Sequence, residues 1–196
     1  MRKSIAMIPL LSTLCGCVIE RQTDTARSAT EELLISAAAD RAAGEIGQAM
    51  PSGRRIFLDT SNFEALDGKY ALGAIRDVVL RHGNALVDKK EMADIVVEVR
   101  SGALAVDDHE ILVGIPSYTV PIPLAGQFST PKIALYDETI LQGVAKFAAT
   151  GTDAKTGSLV LSSTPQYGYA HKSKHIVMLF FSWASDDLIP HDQRDP

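Results

Sequence analysis

Asp94-Ile-Val-Val-Glu-Val-Arg-Ser101 is the stretch whose reading decides the fold. Ile95, Val97 and Val99 alternate with Val96, Glu98 and Arg100, the period-2 pattern of a strand with one buried and one mixed face. Gly102 interrupts the run, and Ala103 to Val106 continue it across a bulge. Upstream, Arg54 to Thr60 is a second β-type run, and Asn84-Ala-Leu-Val87 is a short third one. Leu34, Ala38, Ala42 and Ile46 recur at helical spacing behind the capping-box sequence Ser28-Ala-Thr-Glu31. Gly47 weakens the end of that helix, and Pro51-Ser-Gly53 stops it. Leu72, Ile75, Val78 and Val79 mark a second amphipathic helix, with Gly83 placed as its C-terminal stop. A helix followed by strand, helix, strand and strand predicts an α/β (α+β) domain, two main helices packed on a mixed β-sheet.

Downstream the texture changes. Pro116, Pro121, Pro123 and Pro131 punctuate an uncharged stretch from Ile111 to Pro131, which reads as a proline-rich loop. Gly143–Thr152 and Ser158–Thr164 flank Asp153-Ala-Lys-Thr-Gly157 as the arms of a hairpin. His175 to Trp183 reads as a last strand, apolar enough to be covered on both faces. Ser185 to Pro196 reads as a charged, fraying tail. The expected organisation is a leader over 1–16, a tether over 17–25, one domain over 26–185 and a tail over 186–196.

The first seventeen residues address the chain rather than fold it. Arg2 and Lys3 form a basic head, Ile5 to Leu14 an apolar run, and Leu14-Cys-Gly-Cys17 closes it. This is the layout of an export signal, and the run is shorter than the roughly 20 residues that span a bilayer. The ending resembles the lipobox of bacterial lipoproteins. That resemblance implies cleavage between Gly16 and Cys17 and lipidation (palmitate among the acyl chains) of Cys17. Val18 rather than an aspartate follows, which in such lipoproteins favours the outer membrane, with the chain facing the periplasm of the cell envelope.

Removing sixteen residues from 196 leaves 180, enough for one domain. Losing Arg2 and Lys3 takes the basic count from 19 to 17 against 24 acids, a net charge of −7. An acidic chain without a Lys/Arg cluster argues against nucleic acid as a partner. Cys15 and Cys17 are the only two cysteines, so the domain beyond them has no thiol nucleophile, cysteine-ligated metal or internal disulfide.

Three further blocks resemble an uncharacterised family of bacterial lipoproteins. They are Thr23 to Leu34, Val96 to Ala103 with His109 to Pro116, and Gln142 to Lys146. That resemblance implies no assigned activity. The element order and the Asp-x-Lys-Thr-Gly hairpin are also similar to periplasmic lipoprotein domains of curli-export and penicillin-binding-protein-activator type, which are assembly or regulatory modules.

Candidate chemistry is sparse. Asp107-Asp-His-Glu110 could offer metal ligands, helped by His171 or His175. Consecutive residues on an extended chain point to opposite faces, however, and the plainer reading is a solvated turn. Tyr167-Gly-Tyr-Ala-His-Lys-Ser-Lys-His175 offers a binding loop for peptidoglycan or an envelope protein, its plainer reading being an amphipathic connection. No Gly-x-Ser-x-Gly turn or phosphate-cradling glycine loop occurs, and no cofactor is expected. The sequence therefore reads as a membrane-anchored, non-catalytic binding or assembly module. The alternative is a periplasmic metal-assisted hydrolase using Asp108, His109 and Glu110.

Overall fold

In a computed structural model, residues 27–122 and 126–188 are described. The leader, the Gly16–Cys17 junction and the whole tether lie outside them. Helix α1 (Ala29–Gln48) starts at Ser28, whose hydroxyl accepts from the Glu31 N–H at 3.2 Å. The Glu31 carboxylate in turn accepts from the Ser28 N–H at 2.8 Å, completing the capping box. Strand β1 (Arg55–Asp59) leads to helix α2 (Gly68–Arg81), which ends before Gly83 at φ +77°. Strands β2 (Ala85–Leu86) and β3 (Ile95–Ile115) follow, separated by a 3-10 turn at Lys90–Met92. Then come β4 (Thr119–Ile122), β5 (Gly126–Ser129), β6 (Ile133–Asp153), β7 (Leu159–Ser162), β8 (Gln166–Val177) and β9 (Phe181–Asp186).

The main sheet has the order β2-β1-β3-β6-β8-β9, with β7 also paired to β6. β1 runs parallel to β2 and β3, and the remaining pairs are antiparallel, so the sheet is mixed as expected. Both helices join one core on one face of it. Leu34, Ala38, Ala42 and Ile46 of α1 meet Ala145, Phe147 and Ala149 of β6 and Ala170 of β8, with Ile75 and Val79 of α2 alongside. Two strand glycines allow the close approach. A Cβ on Gly168 would sit 1.9 Å from the Ala38 carbonyl oxygen, and one on Gly143 would sit 2.3 Å from that of Leu34.

The structure corrects four readings. The stretch from Ile111 to Pro131 is not a loop. β3 runs on to Ile115, β4 and β5 form a separate two-stranded sheet, and β6 starts at Ile133, ten residues ahead of Gly143. Pro121 is tolerated because each strand of a two-stranded ribbon has one side that donates to nothing, and Pro123 lies outside the described residues. Pro116 and Pro131 fall between strands, and Pro121 lies on β4. Asp107 to Glu110 lie inside β3 rather than on a turn, since no helix covers that length and charge costs nothing there. Tyr167 to His175 are strand β8, not a connection. His175 to Trp183 is the β8–β9 hairpin, left exposed rather than covered on both faces: Phe180 is 84% and Phe181 66% exposed.

The Asp153 turn is as expected, its carboxylate accepting from the N–H groups of Lys155 (3.0 Å) and Thr156 (2.8 Å) before Gly157 at φ +72°. The charged segment from Ser185 begins in order: Asp186 ends β9, Asp187 accepts from Arg41 at 2.9 Å, and Leu188 packs on the core.

The glycine contacts yield a paired test. Gly168→Ala pushes a methyl group into helix backbone that cannot rotate away and should cost about 1–3 kcal/mol or more. Gly44→Ala meets open space on α1 and should gain about 0.5–1 kcal/mol from helix propensity. Thermal melts should therefore move in opposite directions, by roughly 2–4 °C per kcal/mol.

Candidate functional site

Because both helices lie on one face, the other face of the sheet is open. Strand alternation sorts β8 between them: Gly168 and Ala170 turn toward α1, while Tyr167, Tyr169 and His171 turn outward. The registers place Lys146 beside Tyr167, Gln142 beside His171, and Glu138 between Ile111 and His175 on this open face. Trp183 of β9 extends the last of these rows.

The outward side chains form two aromatic groups. The Tyr167 and Tyr169 rings stack at 6.2 Å with planes 4° apart, and the Lys146 ammonium stands 5.4 Å from the Tyr167 centroid, within cation–π range. Toward the other end, Trp183 stacks on His175 at 5.0 Å. His175 Nδ1 lies 3.7 Å from Glu138 Oε1, and the Tyr136 hydroxyl donates to Glu138 Oε2 at 2.8 Å. That hydrogen bond raises the tyrosine pKa. Aromatic rings fixed on a sheet face suit contact with sugars, side chains or peptide planes.

The acidic cluster is dispersed by the same alternation. Asp107 and His109 sit on the open face, and Asp108 and Glu110 on the helix side. β6 lies between β3 and β8, so His109 is about 10 Å from the strand carrying His171 and His175. His171 turns to Asp187 instead, with Nδ1 at 3.7 Å. Among the described residues, no group of three or more His, Cys, Asp and Glu is close enough to hold a metal ion.

Glu110 does enter one local network. Lys132 Nζ donates to Glu110 Oε1 at 2.6 Å and lies 2.7 Å from Asp137 Oδ2. The hydrogen bonds to Asp137 and then Glu110 hold the lysine above its usual pKa. Asp137 is buried, and its Oδ1 has no hydrogen-bond partner. A groove of about 480 Å³ between the start of α1 and the N-terminal end of α2 is lined by Leu33, Ser36, Asp67 and Tyr70. Its carboxylate at Asp67 is taken up by Arg27. No described helix is long and apolar enough to cross a membrane.

A family profile described as "Family of unknown function (DUF6655)" matches residues 13–166. The chain belongs to that family. No curated protein matches it. The DUF6655 match covers both helices and the strands through β7, and ends at the first residue of β8.

Of the residues singled out from sequence, Tyr167, Tyr169, His171 and His175 come to one strand face, whereas Asp108, His109 and Glu110 do not converge. Cys17 and Gly16 lie outside the described residues. Tyr136, Glu138, Lys146 and Trp183 were missed as members of the open face. The signal for them was the alternation Tyr167-Gly-Tyr-Ala-His, small residues inward and rings outward, which identifies β8 and through its register its neighbours.

The Lys132 network makes a stability prediction. Lys132→Met leaves a buried carboxylate without its cation and should cost about 1–3 kcal/mol. Asp137→Asn removes the charge that needs pairing and should cost less. Urea unfolding of the two variants checks the order.

Proposed function

We propose that the chain is a lipid-anchored protein of the bacterial cell envelope that acts as a non-catalytic binding or assembly module, presenting its open sheet face to a protein or to peptidoglycan. The observation that carries this reading is the one-sided sheet. Its free face displays Tyr167, Tyr169, Lys146, His175 and Trp183 on rigid strands, whereas the His109 imidazole is turned to the opposite face from the Asp108 and Glu110 carboxylates. Tyrosine and tryptophan supply large contact area with few rotatable bonds, which is why they are enriched in binding surfaces.

The anchor rests on the leader. Arg2-Lys3, the ten-residue apolar run and Leu14-Cys-Gly-Cys17 together support cleavage before Cys17 and acylation of its thiol. One acyl chain binds a bilayer only marginally, and the several chains of the lipoprotein pattern hold a domain stably. Val18 after the cysteine supports placement on the outer membrane, facing the periplasm. The similarity to curli-export and penicillin-binding-protein-activator domains supports an assembly role rather than catalysis.

Two measurements test the reading. Radiolabelled palmitate should enter the parent chain and not the Cys17→Ser chain, which should also keep its leader by mass; mature-length Cys17→Ser protein at the membrane would refute the anchor. A photo-crosslinker in place of Tyr169 should trap the same envelope component reproducibly in intact cells, while one in place of the exposed Arg81 on α2 should not. Equal yields from both positions would refute the open face as the binding surface.

A further inference from the structure

The charges of the sheet stop along a line. Ile111, Glu138, His175 and Trp183 lie side by side across β3, β6, β8 and β9. Residues 111–131 and 176–185 contain no Asp, Glu, Lys, Arg or His, and β3 beyond Ile111 and the β8–β9 turn beyond His175 lie past that row. The two charges past the row in β6 and its approach, Asp137 and Lys132, neutralise each other. What the strand ends display instead is apolar: Val113 is 54%, Phe128 56%, Leu135 60% and Phe180 84% exposed. An apolar surface of this kind on an otherwise acidic chain marks a contact site.

The β8–β9 turn reinforces the point. Met178 (φ 50°) and Leu179 (φ 66°), in the three-residue turn between Val177 and Phe181, both occupy the left-handed region, with Phe180 N–H donating to the Val177 carbonyl at 3.3 Å. Large apolar residues are strained there, because Cβ crowds the following carbonyl oxygen. The strain sets greasy side chains at the extreme end of the hairpin, where no contact with the core repays it.

We infer that this end of the sheet is a membrane-contact tip, which inserts into the headgroup and upper acyl region of a lipid leaflet down to the Glu138–His175 row. Three observations favour lipid over a protein partner or a second copy. Across β3, β6 and β8 the boundary between residues that can carry charge and those that cannot is level, at Glu110, Glu138 and His175, as a planar interface requires and a protein surface does not. Tyr136 and Trp183 stand at that boundary, where aromatic side chains with one polar end settle between water and hydrocarbon. And β3 projects four residues past the row, to Ile115, about 13 Å. For β3 itself that length suits a single leaflet, where interfacial elements sit about 5–10 Å deep, and the β4–β5 ribbon continues from its end.

The chain's own geometry brings the tip to the leaflet. α1 begins toward this end of the sheet, with Lys172 Nζ donating to Thr30 Oγ1 at 3.1 Å. Cys17 precedes Ser28 by eleven residues, at most about 40 Å of extended chain. Thr30 lies beside the row of Asp108, seven residues or about 23 Å short of Ile115, so an acylated Cys17 and the tip can enter the same leaflet. This last point rests on the lipid-anchor reading of Cys17; the charge boundary and the strained turn do not.

Trp183 is the only tryptophan, so its emission reports the tip alone. The full-length chain, as parent and as Cys17→Ser, is reconstituted with phosphatidylcholine vesicles. In both, emission should shift to the blue, and lipids brominated near the top of the acyl chain should quench it by roughly half or more, given a depth of about 5–10 Å. Phe180→Asp with Phe181→Asp should abolish shift and quenching while leaving the circular dichroism spectrum and melting temperature in place. Tyr167→Asp, at the far end of the open face, should leave the quenching intact. Unquenched Trp183 in vesicle-bound protein would overturn the proposal. So would a blue shift that grows with protein concentration in the absence of lipid, which would assign the tip to a second copy. Quenching in Cys17→Ser without palmitate incorporation in the parent would sink the anchor and keep the tip.

Discussion

Everything in this fold depends on how closely α1 lies to the sheet. The helix meets β6 and β8 at backbone distance, carbonyl oxygens of Leu34 and Ala38 over the Cα atoms of Gly143 and Gly168, with alanines filling the remaining contact. A contact without side-chain bulk has almost no adjustable parts. It therefore sets the register of the helix along the strands and makes the position of Gly168 in β8 a requirement of the whole domain. The larger side chains, Phe147, Ile56, Ile75 and Val79, fill space further along the sheet, where α2 and β1 complete the core.

With the helix layer confined to one face and to part of the strand length, the same sheet serves two purposes. Its covered portion is the core. Its open face and projecting end are surface built on core strands, so β3 and β6, paired over nearly their whole length, fix the backbone positions from which the exposed side chains project. Antiparallel sheets permit this because alternation separates the two faces residue by residue. The stacked tyrosines and the Trp183–His175 pair are positioned by this ladder rather than by packing from above.

The helical half of the fold was legible in the sequence. Ser28 and Glu31 cap α1, Gly83 stops α2, and the alternation from Ile95 to Val99 identifies the central strand, each through a local rule that the structure obeys. The projecting half was not. Pattern reading detects strands by the contrast between buried and exposed faces, and beyond Val106 neither face of β3 is buried, so Asp107 to Glu110 looked like a turn and Ile111 onward like a loop. Prolines strengthened that impression, although Pro121 sits on a ribbon that can spare its N–H. The aromatic run ending at Trp183 has the composition of a core strand, since apolar residues are usually inside; here it forms an exposed hairpin. The tyrosine pair on β8 was noticed as binding material, but its place on the open face became visible only through the pairing with β6.

The charged run in the middle of β3 has a consequence of its own. From Gly102 to Ile115 the outer edge of β3 pairs with no other strand among the described residues, and a long bare edge is a template on which another chain can add a strand. Asp107, Asp108, His109 and Glu110 fall midway along that edge, and two copies brought together there would oppose carboxylate to carboxylate. The cluster that most resembles a metal site in the sequence thus places charge where an edge strand needs it to resist pairing, which makes no demand that the four side chains converge.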